Sequence, residues 1–365
     1  MTNLLGFINA MTDNLGERPS EMDLAIFARI AYLPFQLVLK DSSDTKPLTL
    51  ACEEILENLS DHEELLLLPS DKQLMERLAY SKRYANVEIT NFVNSTDRSV
   101  TKQFSAVTLL LDRSFKVVSF RGTDGTLIGW REDFNLVFQS DVAAQKDALI
   151  YLHQALESDN RKLWIVGHSK GGNLAVYATV KENLALLSPR LIQTVNFDGP
   201  GFPQDLISKT SDSPYSSLIT TLIPQLSVFG MLGKYPFDQR IVLSIGKGLW
   251  QHDLYTWQSD KDGRFLGTTG LRDSSHFINQ TTSDILESTS VEERQKFIDT
   301  IFETFQNMDY VTIKDVMKNW NQVLQMIKTK SGDASPVTKK YINQTISTLM
   351  AVIIKNISGL NPHRK

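Results

Sequence analysis

The sequence predicts an α/β fold, a mostly parallel sheet flanked by helices, with helical appendages at both ends of the chain. Three observations carry this expectation. Between about residues 105 and 245, short apolar and β-branched runs alternate with longer segments of helical spacing, the pattern of a parallel sheet covered on both faces. Within that stretch, Leu163-Trp164-Ile165-Val166 runs straight into Gly167-His168-Ser169-Lys170-Gly171-Gly172 and then into an alanine- and valine-bearing segment, which reads as strand, tight turn, helix. Toward both ends the apolar spacing lengthens to that of amphipathic helices.

The first hundred residues read as mainly helical, with Asp23 to Ala31 placing apolar residues at helical spacing and Pro34 ending the element. Ala106 to Leu111 and Phe115 to Phe120 form two strands, joined as a hairpin by Asp112-Arg113-Ser114. A helix follows over Asp141 to Leu156, then the Leu163 strand, the helix after Ser169, and the strands Leu191 to Phe197 and Ile241 to Ile245. Ser290-Val291-Glu292-Glu293 is a capping box that opens a helix bearing Phe297, Ile301, Phe302 and Phe305, and Val311 to Ile327 offers a second amphipathic helix. Ser335, Pro336 and Gly359 bound a last helix. Its apolar face, flanked by Lys339, Lys340 and Lys355, suits packing on the core or on a sister subunit, peripheral contact with a membrane surface being the sharper alternative. The expected organisation is a helical portion over 1–100, an α/β core over 101–288 and C-terminal helices over 289–365.

Composition narrows the function. An apolar share of 41% and a formal charge of -4 describe an ordinary globular chain without the basic field that nucleic acid binding needs. Cys52 is the single cysteine, Met1 to Leu5 lacks the basic and apolar features of a secretory signal, and no run reaches membrane-spanning length. A cytoplasmic protein is expected, with oligomeric state left open.

Glycine-x-serine-x-glycine between a strand and a helix is the pattern that lifts a serine hydroxyl above a sheet, which makes Ser169 a candidate nucleophile; a glycine-rich turn with a bystander serine is the plainer alternative. A serine of this kind takes an acid and then a histidine from later in the chain. His62, His153 and His168 do not satisfy that order and His363 lies in the terminal tail, which leaves His252 and His276; His252, in the loop after the Ile241 strand, is the candidate base. Asp198, at the end of the strand after the Ser169 helix, is the candidate acid ahead of Asp238 and Asp253, with turn capping before Pro200 as its plainer role. Backbone amides of Lys170, next after the serine, and Thr123, in the glycine-flanked turn after the Phe120 strand, are candidate oxyanion donors. Tyr215 to Phe237 is apolar enough to line an acyl pocket or form a lid, or else to be a core strand and loop. Asp260-Lys261-Asp262-Gly263 reads as a hairpin turn rather than a calcium loop.

Ser119-Phe120-Arg121-Gly122-Thr123-Asp124, with Trp130 and Asp133-Phe134, resembles the oxyanion strand and loop of class 3 lipases, and Val166 to Gly172 resembles their serine turn. More of the chain is similar to the Mbeg-like proteins, an α/β-hydrolase group of largely unassigned function, including Asp23 to Phe35, Gln145 to Tyr151, Phe197 to Phe202, Ile223-Pro224-Gln225 and His252-Asp253. The resemblance implies an α/β-hydrolase fold with Ser169 as nucleophile, His252 as base and Thr123 as oxyanion residue. Class 3 lipases usually carry their acid one strand later, where Ile223 to Ser227 holds no carboxylate; Asp198 resembles the placement in pancreatic-type lipases. The expected activity is hydrolysis of a small-molecule or lipid carboxylic ester without metal or organic cofactor, the rival being an idle hydrolase scaffold that binds a ligand or partner.

Overall fold

Apolar runs bounded by turn residues become strands, and in the computed structural model they join one sheet in chain order: β1 (Thr45–Pro47), β2 (Glu88–Asp97), β3 (Lys102–Leu110), β4 (Phe115–Phe120), β5 (Lys162–His168), β6 (Leu191–Phe197), β7 (Ile219–Pro224) and β8 (Gln239–Val242). The structure describes residues 1–203 except 17, 139 and 140; 206; 213–271 except 228, 234, 236, 238 and 269; 290–308; and isolated positions from 310 to 329. Strands β4 to β8 pair parallel, as expected, and β1 to β4 extend the sheet with an antiparallel edge.

The antiparallel share grows because β1 and β2 fall within the stretch read as mainly helical. Strand β1 is three residues long. In β2 the register shifts between Thr90 and Val93, with Asn91 at φ 53°, so the inside–outside alternation that marks a strand is broken in the middle. The β3–β4 hairpin stands where the sequence placed it, Leu109 opposite Val117, and Asp112 turns the chain by accepting from the Ser114 and Phe115 amides at 2.6 and 2.8 Å. Strand β7 lies near the start of the Tyr215 to Phe237 segment, and Leu222 and Ile223 in it are buried as core.

Two helical layers sandwich the sheet. On one face lie α1 (Leu4–Ala10), α2 (Glu21–Ile30), α3 (Leu48–Asn58) and α4 (Pro69–Ala79); Phe7 of α1, Phe27 of α2 and Phe35 in the turn after α2 share a core with Val166, Phe197 and Trp257. Ser20 and Asp23 cap α2 reciprocally, and the helix stops ahead of Pro34. On the other face lie α6 (Ala143–Ser158) and α7 (Lys170–Lys181), which bury Leu152, Leu174 and Val176 against Phe120 and Ile165. Helix α5 (Leu127–Phe138), which the sequence reading left unassigned, follows β4, and α8 (Leu184–Leu187) follows α7. Helix α9 (Val291–Gln306) begins at the Ser290–Glu293 capping box and buries Ile301, Phe302 and Phe305. Asp260 to Gly263 forms a hairpin turn, with the Asp260 amide donating to the Arg264 carbonyl at 2.9 Å. Most of Val311 to Ile327, all of Ser335 to Gly359, and His276, Asp238 and His363 lie outside the described residues. Among the described residues no helix is long and apolar enough to cross a membrane.

Candidate active site

The C-terminal ends of the parallel strands bring the candidate residues together. Strand β5 ends at His168, and Ser169 turns the chain into α7 at φ 58°, ψ -132°, a conformation that costs a non-glycine residue about 1–3 kcal/mol and persists only where the surroundings enforce it. They do: the Ser169 amide donates to the Phe197 carbonyl at 2.9 Å, and the Gly172 amide to the Ser169 carbonyl at 2.8 Å. The flanking glycines are sterically required. A Cβ on Gly167 would sit 2.0 Å from the Gly171 oxygen, and one on Gly171 would sit 2.1 Å from the Phe120 oxygen. Lys170 is the first residue of α7, where an amide has no partner inside the helix.

Asp198, at φ 50° just past β6, is fully buried. Its Oδ1 accepts from the Ser227 hydroxyl at 2.5 Å, the Gly230 amide donates to the same carboxyl, and a Cβ on Gly230 would come within 2.4 Å of Oδ1. Its Oδ2 accepts from Nδ1 of His252 at 2.6 Å. His252 ends a 3₁₀ turn, Gly248–His252, held by the Gln251 side chain accepting from the Leu226 amide at 2.8 Å and the Gln251 carbonyl accepting from Trp257 Nε1 at 2.7 Å. Phe229 and His168 lie against the His252 imidazole, ring centroids 4.3 and 4.5 Å away. Asp253 turns elsewhere and caps the next turn through the Tyr255 amide.

Burial pushes the Asp198 carboxyl up, against the pull of the Ser227 and Gly230 donors, and burial with the nearby Arg29 charge pushes the His252 imidazolium down to about 3. With its Nδ1–H on Oδ2, the neutral His252 imidazole is held in a single tautomer. That leaves Nε2 of His252 free of a proton and able to accept one.

Past the end of β7 a serine stands instead of a carboxylate, donating to the Asp198 carboxyl just past β6. Nothing local in the sequence marks Ser227 and Gly230, whose role depends on a carboxyl that reaches them from another strand. The same holds for His168. Its Nε2 donates to the His252 carbonyl at 2.8 Å, which makes Nδ1 the acceptor for the Tyr32 hydroxyl at 3.0 Å, and burial holds its imidazolium well below the ordinary range. Behind this lies Arg29, paired through two bonds of 2.6 and 2.5 Å with Asp71, which also accepts from the Tyr255 hydroxyl at 2.8 Å.

The turn after β4 leans on the serine: a Cβ at Gly122 would lie 3.1 Å from that of Ser169. Thr123, the next residue, donates its hydroxyl to Asp133 on α5, and burial pushes that carboxyl up to about 7 while Lys170 opposes the rise. The Lys170 side chain is buried against Gln103 and Glu132. A cavity of about 340 Å³ lined by Leu15, Arg83, Leu110, Arg113 and Arg161 opens at the opposite end of the sheet and touches none of these groups. Among the described residues no cluster of histidine, cysteine and carboxylate side chains could hold a metal ion.

Several solved structures resemble the chain, with low identity. A mutant form of MDLA from Penicillium cyclopium aligns with 68% of this chain and 88% of its own at 12% identity and a TM-score of 0.40. A fungal lipase covers 74% and 90% at 12% identity and 0.39, and a triacylglycerol lipase from Penicillium expansum covers 52% and 77% at 16% identity and 0.33. No curated protein sequence matches. The eight-stranded sheet with helices on both faces and a serine turn after β5 is the α/β-hydrolase architecture, and the Mbeg1-like family profile matches residues 78–303, more than half of the sequence. The chain belongs to the Mbeg1-like family.

Proposed function

We propose that the protein is a serine hydrolase that cleaves a carboxylic ester through an acyl-enzyme. One observation above the others supports this: a serine held in a strained turn at the strand–helix junction, next to a histidine ring that stacks on His252, a half-buried imidazole whose Nδ1 pairs with the Asp198 carboxyl at 2.6 Å. In this mechanism Nε2 of His252 takes the Ser169 proton as Oγ attacks the acyl carbonyl, and the Lys170 and Thr123 amides stabilise the oxyanion. The imidazolium then protonates the departing alcohol. Water repeats the sequence, His252 taking its proton, and the acid leaves with Ser169 restored. Asp198 holds the imidazole in the required tautomer throughout.

A fluorophosphonate probe is expected to label the native protein at a single site and to leave Ser169→Ala unlabelled, read by mass spectrometry of the labelled peptide. A folded wild-type protein that resists the probe would instead favour an idle scaffold that binds a ligand or partner.

The lowered His252 value gives a second expectation. A general base works in its neutral form, so activity is lost as pH falls through the base's own value. Because burial and Arg29 lower that value from 6.5, the acid limb of kcat/KM is expected below pH 6.5. Rates measured from about pH 8 to about pH 4 on a neutral ester check this, and a limb at or above the ordinary histidine value would contradict it.

A further inference from the structure

Lys170 follows the candidate nucleophile, and its side chain runs into the protein interior. Nζ donates to the Gln103 carbonyl at 2.7 Å, to the Gln103 side-chain oxygen at 2.6 Å and to Glu132 Oε2 at 3.1 Å. Glu132 also accepts from the Gln103 amide at 3.0 Å and the Ala144 amide at 2.9 Å. Both side chains of the pair are 0% exposed. One closed set of charge-assisted bonds thus ties the serine turn to β3, to the start of α6 and to α5.

Helix α5 borders the candidate site, with Asp133 on it accepting from the Thr123 hydroxyl. It follows directly on the Thr123 turn, and Trp130 on it packs against Phe229, which lies on the His252 ring. Gly129 lies so close to Thr123 that a Cβ there would come within 2.7 Å of the threonine methyl. On its outer side, Arg131 pairs with Asp299 of α9 at 2.5 Å, and Phe134 meets Phe302 with centroids 5.9 Å apart.

We propose that α5 is a fixed roof rather than a movable lid, bolted to the serine turn by the Lys170–Glu132 pair, so that the protein acts on ester molecules dispersed singly in water and gains nothing from a lipid surface. The substrate class named here rests on the serine hydrolase proposed above. Swinging α5 outward would carry Glu132 away and strand an ammonium in the interior, which weighs against the open form by roughly a hundredfold or more. Apolar residues at both positions would let the helix slide without that charge penalty. The ion pair fixes one position, and with it the placement of the Thr123 turn.

Hydrogen exchange over residues 127–138 and the rate of fluorophosphonate labelling, each with and without phosphatidylcholine vesicles, test this together. Vesicles are expected to change neither quantity by more than about twofold. Lys170→Met is expected to speed α5 exchange at least about tenfold and to slow labelling by a similar factor, while β5 and β6 exchange as in the wild type. Glu132→Gln, which keeps one acceptor for the Gln103 and Ala144 amides, should fall between the two and serves if Lys170→Met does not fold. Vesicles that accelerate α5 exchange or labelling about tenfold, or a Lys170→Met protein with unchanged α5 exchange, would overturn the roof. Absence of labelling in both conditions removes the hydrolase, whereas the exchange arm judges the roof independently of any ester chemistry.

Discussion

Asp198→Asn is expected to lower kcat on a carboxylic ester about 10⁴-fold with little change in KM, the size of loss seen when a serine triad loses its acid. The surroundings of Asp198 dictate how. Ser227 and the Gly230 amide both donate to this carboxyl, and both lie on its Oδ1 side. An asparagine must therefore turn its carbonyl oxygen toward them, which leaves its NH₂ facing Nδ1 of His252. The imidazole would then accept at Nδ1 and carry its proton on Nε2, the wrong side for taking a proton from Ser169. Asp253→Asn, whose native carboxylate caps a neighbouring turn, is expected to stay within severalfold of wild type. Steady-state kinetics on both variants, with circular dichroism to establish folding, provides the check. A loss below about tenfold in Asp198→Asn would mean that another carboxylate holds the base.

The parts of this site legible in the sequence are those whose chemistry is local. Gly167, Ser169 and Gly171 announce themselves because the close approach of β5, α7 and β4 admits no other residues at the two flanking positions, so geometry is written directly into five consecutive letters. Strand β6 was readable to the residue because it is buried and continuous. The Asp198–His252 pairing could be anticipated from chain order, since parallel strands deliver their loops to one edge of the sheet in sequence. What stayed hidden depends on distant partners or on broken patterns. Strand β2 lost its alternation at the Asn91 irregularity. Ser227 and Gly230 matter only because Asp198 arrives beside them from another strand. Lys170 offered its amide to the sequence reading, but the use of its side chain needs Glu132 and Gln103, which are 38 and 67 residues away along the chain.

The largest expected loss of stability is at Asp71, far from the serine in sequence. Arg29 and Asp71 are 2% and 0% exposed and joined by two short bonds, and Asp71 also takes the Tyr255 hydroxyl and the Leu68 amide, the latter at 2.9 Å. Asp71→Ala would leave a guanidinium buried without its carboxylate, a change that costs about 3–5 kcal/mol, whereas replacing both charges by apolar residues of similar volume is often close to neutral. Asp71→Ala is therefore expected to lower the denaturation midpoint sharply and Arg29→Met with Asp71→Leu to recover most of it. A cost below about 1 kcal/mol in the single variant would show that the charge finds water. The effect should reach the candidate site, because Tyr255 follows His252 by three residues and Arg29 packs on the Tyr32 ring at 4.2 Å, whose hydroxyl bonds His168. Arg29, Tyr32 and Asp71 all precede residue 78, where the family match begins. The segments ahead of that boundary thus supply the charges and the hydroxyl that pack under the His252 turn, so the matched segment by itself carries the candidate residues Ser169, Asp198 and His252 without these contacts.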